Sequence, residues 1–150
     1  MGNFSAVSLE SVCVGILLGQ SAALKDRLLD RHLMPLSITA AQFKVLRIIS
    51  GGDNTAGALC RHLSIHSAAM SRMLDRLERK ALIVRSRDNH DQRQVRLSLT
   101  EKGQSVSTQL PMLACAAMNE FTAGITQEEL AQLERLLEKM LSSWLMRERF

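Results

Sequence analysis

The sequence predicts a mainly α-helical chain with one small β-hairpin, and three observations lead there. Apolar residues recur at helical spacing over most of the 150 residues. Two short strand-like runs, Ala81-Leu-Ile-Val84 and Gln94–Leu99, flank a polar loop at roughly Asp88–Gln92. Two capping signatures, Thr39-Ala-Ala-Gln42 and Thr126-Gln-Glu-Glu129, mark helix starts.

The elements follow in order. A first helix is expected from about Leu9 to His32, with Leu9, Val12, Cys13, Ile16, Leu17, Leu24 and Leu28 apolar and Pro35 ending it. A second opens at Thr39, buries Phe43, Leu46 and Ile49, and stops at Gly51-Gly52. A short third helix spans about Thr55–Leu63, and a fourth runs from Ser67 to Ala81. In the second strand Val95, Leu97 and Leu99 share one face, Arg96 and Ser98 the other. Thr100 caps a fifth helix reaching about Ala123, in which Pro111 should bend the axis or sit at a break. The sixth carries Leu130, Leu133, Leu137, Met140 and Trp144 at alternating spacings of three and four, a narrow seam. Leu136, Leu141 and Leu145 widen that face beyond what an isolated helix tolerates. There is no internal repeat or low-complexity segment, so residues 1–150 read as one domain.

Charge is unevenly spread. Between Cys60 and Arg96 there are nine Lys or Arg against four acids, whereas the rest of the chain holds ten basic and eleven acidic residues. A field localised on a quarter of the molecule selects a polyanion. With no Tyr, four Phe and one Trp, single-strand binding through aromatic stacking is disfavoured. Cys13, Cys60 and Cys115 are widely spaced, form no CxxC pair and suit a reducing, cytoplasmic setting. The apolar run Val12–Leu18 is too short to span a bilayer. His32, His62, His66 and His90 are scattered and read as surface residues, with no metal site. No phosphate loop, paired-carboxylate cleft or nucleophile triad stands out, so neither enzyme nor cofactor is expected.

The third helix, the turn Ser64-Ile-His66 and the fourth helix make a helix-turn-helix. Met70, Met73, Leu74 and Leu77 form its core stripe. Ser67, Ala68, Ser71, Arg72 and Arg76 lie mostly on other faces, small enough to let the helix lie deep in a major groove. Arg72 suits bidentate bonding to guanine, and Ser67 and Ser71 suit bases or phosphates. The competing reading is a solvated helix whose arginines pair locally, for example Asp75 with Arg79. In the hairpin, Arg93 sits at or beside the tip, where it suits a minor groove, held by Asp91 and flanked by Arg87 and Arg96 on phosphates. The competing reading there is a plain surface hairpin. The apolar first, fifth and sixth helices bury themselves most simply against one another and a second copy, through Leu9, Val12, Ile16, Leu133, Leu137, Met140 and Trp144. Otherwise they wrap their own domain.

Several segments carry a family resemblance. From about Lys25 to Met140 the chain resembles the MarR family of winged helix-turn-helix regulators, in KDRLLD (Lys25–Asp30), PLSITAAQFKVL (Pro35–Leu46), RMLDRL (Arg72–Leu77), DNHDQR (Asp88–Arg93) and LTEKG (Leu99–Gly103). The resemblance implies a winged helix-turn-helix over about residues 36–100, joined to dimerisation helices over about 8–32 and 101–148. It implies an obligate homodimer on a pseudo-palindromic double-stranded operator, acting as a repressor. The fourth helix would enter the major groove and Arg93 the minor groove. It also implies release by a small aromatic or phenolic effector of the salicylate type. Matching positions are Ser71 with Arg85 in one shallow site, and Ala69, Met73 and Arg76 in another. Arg79 stands where the family's founding member has a cysteine, so thiol chemistry there is not carried over. A redox branch uses a cysteine near the start of the first helix, roughly at Cys13, together with tyrosines that this chain lacks. Flanked by Val12 and Val14, Cys13 reads as a buried, inert thiol. A thiol-sensing repressor using Cys13 is the alternative within the fold. A protein-interaction module without DNA binding is the alternative outside it.

Overall fold

Capping chemistry sets the boundaries of most helices. The computed structural model describes residues 13–87 and 94–147. Its elements are α1 (Cys13–Leu33), a short 3-10 turn (Met34–Leu36), α2 (Ala40–Ser50), α3 (Ala56–Leu63), α4 (Ser67–Arg79), β1 (Ile83–Arg87), β2 (Val95–Leu99), α5 (Glu101–Phe121) and α6 (Gln127–Arg147). Thr39 Oγ1 accepts from Gln42 N at 3.1 Å and Gln42 Oε1 from Thr39 N at 3.3 Å, the expected reciprocal cap. Thr126 and Glu129 repeat it at α6, at 3.2 and 2.8 Å. Thr55 caps α3 and Thr100 caps α5 one-sidedly, their hydroxyls accepting from Ala58 N and Gly103 N.

The boundary between the fourth helix and the first strand is corrected. α4 stops at Arg79 rather than Ala81, because Ala81 adopts a left-handed φ of 55°. Leu82 N then donates to Leu77 O at 3.0 Å and Ala81 N to Glu78 O at 2.8 Å, a Schellman closure built without glycine. The first strand therefore begins at Ile83. Of the two expectations for Pro111, a bend or a break, the break is excluded: α5 passes through it as one helix, although Pro111 has no amide to offer Ser107 O. Leu9, Val12, Asp91 and Arg93 lie outside the described residues.

β1 and β2 pair antiparallel, with Ile83 opposite Leu99, Arg85 opposite Leu97 and Arg87 opposite Val95. Ile83 and Leu97 are buried, so one face of the hairpin rests on the core. Leu97 N also donates to Asn54 O at 2.8 Å, which ties β2 to the segment entering α3. The core draws Leu33 from α1, Val45 and Leu46 from α2, Leu59 from α3, Met70, Leu74 and Leu77 from α4, and Val106 and Leu110 from α5. Phe43 is only half-buried where burial was expected. α6 contributes no buried residue among those described, and Leu133, Met140 and Trp144 are 43%, 46% and 65% exposed. Ile16 on α1 is 54% exposed. No single helix among the described residues is long and apolar enough to cross a membrane.

Polar ties join α1 to the rest. Lys44 Nζ donates to Asp26 Oδ2 at 3.0 Å, and Ala40 N to Asp30 Oδ1 at 2.5 Å, so α1 holds the start of α2. His32 Nε2 and Glu120 Oε2 lie 2.9 Å apart, and Arg31 binds the other Glu120 oxygen. Burial pushes the Asp26 carboxyl up, but Lys25 and Lys44 outweigh it and hold Asp26 below its usual range.

Gly103 is where α5 meets the end of α4. A Cβ there would lie 2.0 Å from Leu82 O. Gly103→Ala should cost about 1–3 kcal/mol through forced backbone movement, read as a lowered denaturant midpoint. The carboxyl of Asp26 is depressed in the folded state, so its stabilisation is present above the ordinary aspartate pKa. It is lost as pH falls through the lower folded value. Asp26→Asn should therefore flatten the acid limb of the stability–pH curve below about pH 4. An unchanged acid limb would refute that role.

Candidate nucleic-acid interface

The helix-turn-helix is made by α3, a tight turn and α4. Ser64 ends α3 with a left-handed φ of 51°, its amide bonded to Cys60 O, and Ile65 N donates to the same carbonyl at 3.2 Å. His66 then sits extended at the N-cap of α4 without a side-chain cap bond. Met70, Leu74 and Leu77 face the core and Met73 is half-buried, as the stripe predicts. Ser67, Ala68, Ala69, Ser71, Arg72 and Arg76 are all exposed. Side chains of this kind at a helix start leave room for close approach to a groove.

The ionic pattern differs from the local pairing weighed above. Asp75 does not hold Arg79; Arg79 Nε donates instead to the Asp75 backbone oxygen at 3.3 Å. The Asp75 carboxylate takes Arg85 from β1, with Nη2–Oδ1 at 2.8 Å, and Glu78 takes the same guanidinium, with Nη1–Oε2 at 3.2 Å. Arg85 wins because a strand neighbour can present its planar fork to two carboxylates one helical turn apart. Among the described residues, Arg72 and Arg76 form no ion pair and keep their full charge toward solvent.

Arg85 Nη2 also approaches Ser71 O at 3.5 Å, so Ser71 and Arg85, expected in one shallow site, are neighbours. Ala69, Met73 and Arg76 follow one another along a face of α4. Arg87 and Arg96 are exposed and lie on opposite faces of the hairpin by register, since Arg87 faces Val95 and Arg96 faces Ser86. Arg96 Nη1 donates to Asn54 Oδ1 at 3.1 Å, which braces it against the start of α3. Nearby, Lys80 Nζ donates to Gln42 Oε1 at 2.9 Å and to Ser37 O. Burial, followed by the positive charges of Arg76 and Lys102, lowers the Lys80 pKa.

The reading of Cys13 as buried is corrected: among the described residues of one chain it is exposed at the start of α1, as are the residues that follow it up to Leu24. His62 Nε2 lies 2.6 Å from Asp53 Oδ2, an exposed pair. Spacing did not reveal the Asp75–Glu78–Arg85 cluster, though acids three apart on a helix just before a basic strand are its visible trace. A cleft of about 340 Å³ between α2 and α5 was also missed. Phe43, Arg47 and Pro111 line it, together with Ser107, whose buried hydroxyl has no hydrogen-bond partner among the described residues. The half-exposure of Phe43 follows from that cleft.

Comparison with known proteins places this geometry. The MarR family model matches residues 38–95, from just before α2 into the hairpin. The multiple antibiotic resistance protein MarR of Escherichia coli is 40% identical over 134 residues, covering 88% of this chain and 93% of that protein. The structure of a mutant E. coli MarR complexed with operator DNA superposes with a TM-score of 0.82 at 39% identity, over 91% of this chain and 99% of that one. A Mycobacterium tuberculosis MarR family protein complexed with salicylic acid matches with a TM-score of 0.70 at 27% identity, over 84% of this chain and 94% of that one. Fold, helix-turn-helix, hairpin and near-full-length identity agree, and the chain belongs to the MarR family of winged helix-turn-helix transcriptional regulators.

Proposed function

We propose that this protein is a dimeric repressor that reads a pseudo-palindromic operator and leaves it when a small aromatic or phenolic acid binds. The observation that carries the reading is the outer face of α4. Ser67, Ser71, Arg72 and Arg76 face solvent together, with both arginines outside any ion pair among the described residues. A helix of that kind fits a major groove, with Arg72 reading guanine and the serines on bases or phosphates. Arg87 and Arg96 suit the flanking phosphates, and Asp91 and Arg93, which lie outside the described residues, suit by sequence position the adjoining minor groove. The related E. coli MarR has been solved with operator DNA, which supports this assignment.

Dimerisation follows from the uncovered apolar surface. Val14, Leu18, Leu137, Met140 and Trp144 line a groove of about 760 Å³ between α1 and α6 that a second copy would fill. Two-fold symmetry then sets the recognition helices about one DNA turn, roughly 34 Å, apart. Effector binding is placed at Ser71 with Arg85, or at Ala69, Met73 and Arg76, where a guanidinium meets a small apolar face. The relative solved with salicylic acid supports that ligand class. Three free thiols fit a reducing cytoplasm.

Titration of a fluorescent duplex from the protein's own upstream region, at two salt concentrations with and without salicylate, tests the reading. Selective, salt-dependent binding weakened by salicylate is expected; binding indifferent to sequence would refute it. Arg72→Ala should cost about 1–3 kcal/mol on the operator and relax discrimination at one base pair per half-site. Equal losses on operator and random duplex would remove its base-reading role. Leu137→Glu combined with Met140→Glu should halve the sedimentation mass and weaken operator binding more than random binding. An unchanged mass would remove the α1–α6 surface as the dimer contact.

A further inference from the structure

The Asp75–Glu78–Arg85 cluster is not needed to fold the chain. All three side chains are substantially solvated, at 47%, 42% and 31% exposure, so the pairs contribute little to stability. Its placement carries more meaning than its energy. Arg85 stands on β1 opposite the buried Leu97, so its backbone is fixed by the sheet and the core. Asp75 and Glu78 stand one turn apart on α4. The guanidinium therefore bridges the recognition helix and the hairpin, which only residues 80–82 connect along the chain. The cluster also carries one net negative charge on two elements that expose Arg72, Arg76 and Arg87.

We propose that Asp75 and Glu78, acting through Arg85, are specificity-determining positioning residues of the DNA interface. The buried contacts of Leu77, Leu82, Ile83 and Leu97 set the angle between α4 and the hairpin, and within that frame the bridge keeps the Arg85 guanidinium turned toward the helix. The two carboxylates also keep Arg85 from grasping phosphates indiscriminately and repel a misplaced backbone. Sequence-independent affinity is thereby held down while operator affinity is kept. The inference rests on the DNA-binding reading above and deepens it.

The test compares wild type with the Asp75→Asn/Glu78→Gln variant on an operator duplex and a random duplex across a salt series. Random-duplex affinity should rise, and its salt slope should steepen by about one unit as Arg85 is released to a phosphate. The operator-to-random ratio should fall about tenfold. Because the substituted side chains are exposed, the thermal midpoint should stay close to wild type. A second measurement guards against an indirect effect: in a cycle of Glu78→Gln with Arg85→Gln, the changes in the ratio should be non-additive. An unchanged ratio, or additive changes in that cycle, overturns the inference. Failure of wild type to bind either duplex at low salt overturns the DNA-binding reading itself, so the two failures are distinguishable.

Discussion

The geometry of this molecule turns on the packing around Leu82. Its amide closes α4 on Leu77 O, its carbonyl accepts Thr100 N at 3.1 Å, and the bare Cα of Gly103 lies against that same carbonyl. Thr100 Oγ1 adds a 2.6 Å bond to Ala81 O, and Lys102 Nζ a 2.9 Å bond to Lys80 O. Three elements with different tasks thus meet within a few residues: the recognition helix, the root of the hairpin and the start of a long helix. Close packing makes such a junction stiff, so a shift of α5 cannot be absorbed there and must move α4 and the hairpin together. The left-handed Ala81 is the strain this closure tolerates, roughly 1 kcal/mol relative to glycine.

Charge on the same unit is organised by competition among cations for few acids. Arg85 takes both helix carboxylates because its planar fork reaches them from the neighbouring strand. Arg79 is left with a backbone carbonyl and Lys80 with neutral oxygens. Arg72 and Arg76 consequently remain charged and solvated on the outer face of α4. Concentrating uncompensated charge costs little in water but gains from a polyanion that releases its counterions. Stability and recognition are separated in this way: the inner stripe of α4 supports the core and the outer stripe is left for a partner.

That unit is joined to α1 and α5 through the shared apolar core, and a few polar contacts add to it. Asp26 and Asp30 of α1 hold Lys44 and the first amide of α2, while Arg31 and His32 hold Glu120 of α5. α1 is therefore bound to both halves of the chain, while its described first turns and most of the described α6 residues are exposed. The α2–α5 cleft lies between the same two halves, with the buried Ser107 hydroxyl in its wall.

Reading along the chain was enough for everything that depends on near neighbours. The six helices among the described residues, the hairpin with its alternating faces, the reciprocal caps at Thr39 and Thr126 and the core stripe of α4 follow from spacings of two to four residues, and the basic bias of residues 60–96 from a simple count. Those spacings are fixed by helix and strand geometry before any packing occurs. The partner of Asp75, the end of α4 at Arg79, the need for glycine at position 103, the half-exposed Phe43 and the exposed Cys13 were not available that way. Each is settled by which distant segment arrives beside it. Arg85 reaches Asp75 only once the hairpin has folded back, and Gly103 meets Leu82 only once α5 has docked. Local periodicity says which face of an element is apolar, but only the packed chain says what that face touches and which of several competing charges gets there first.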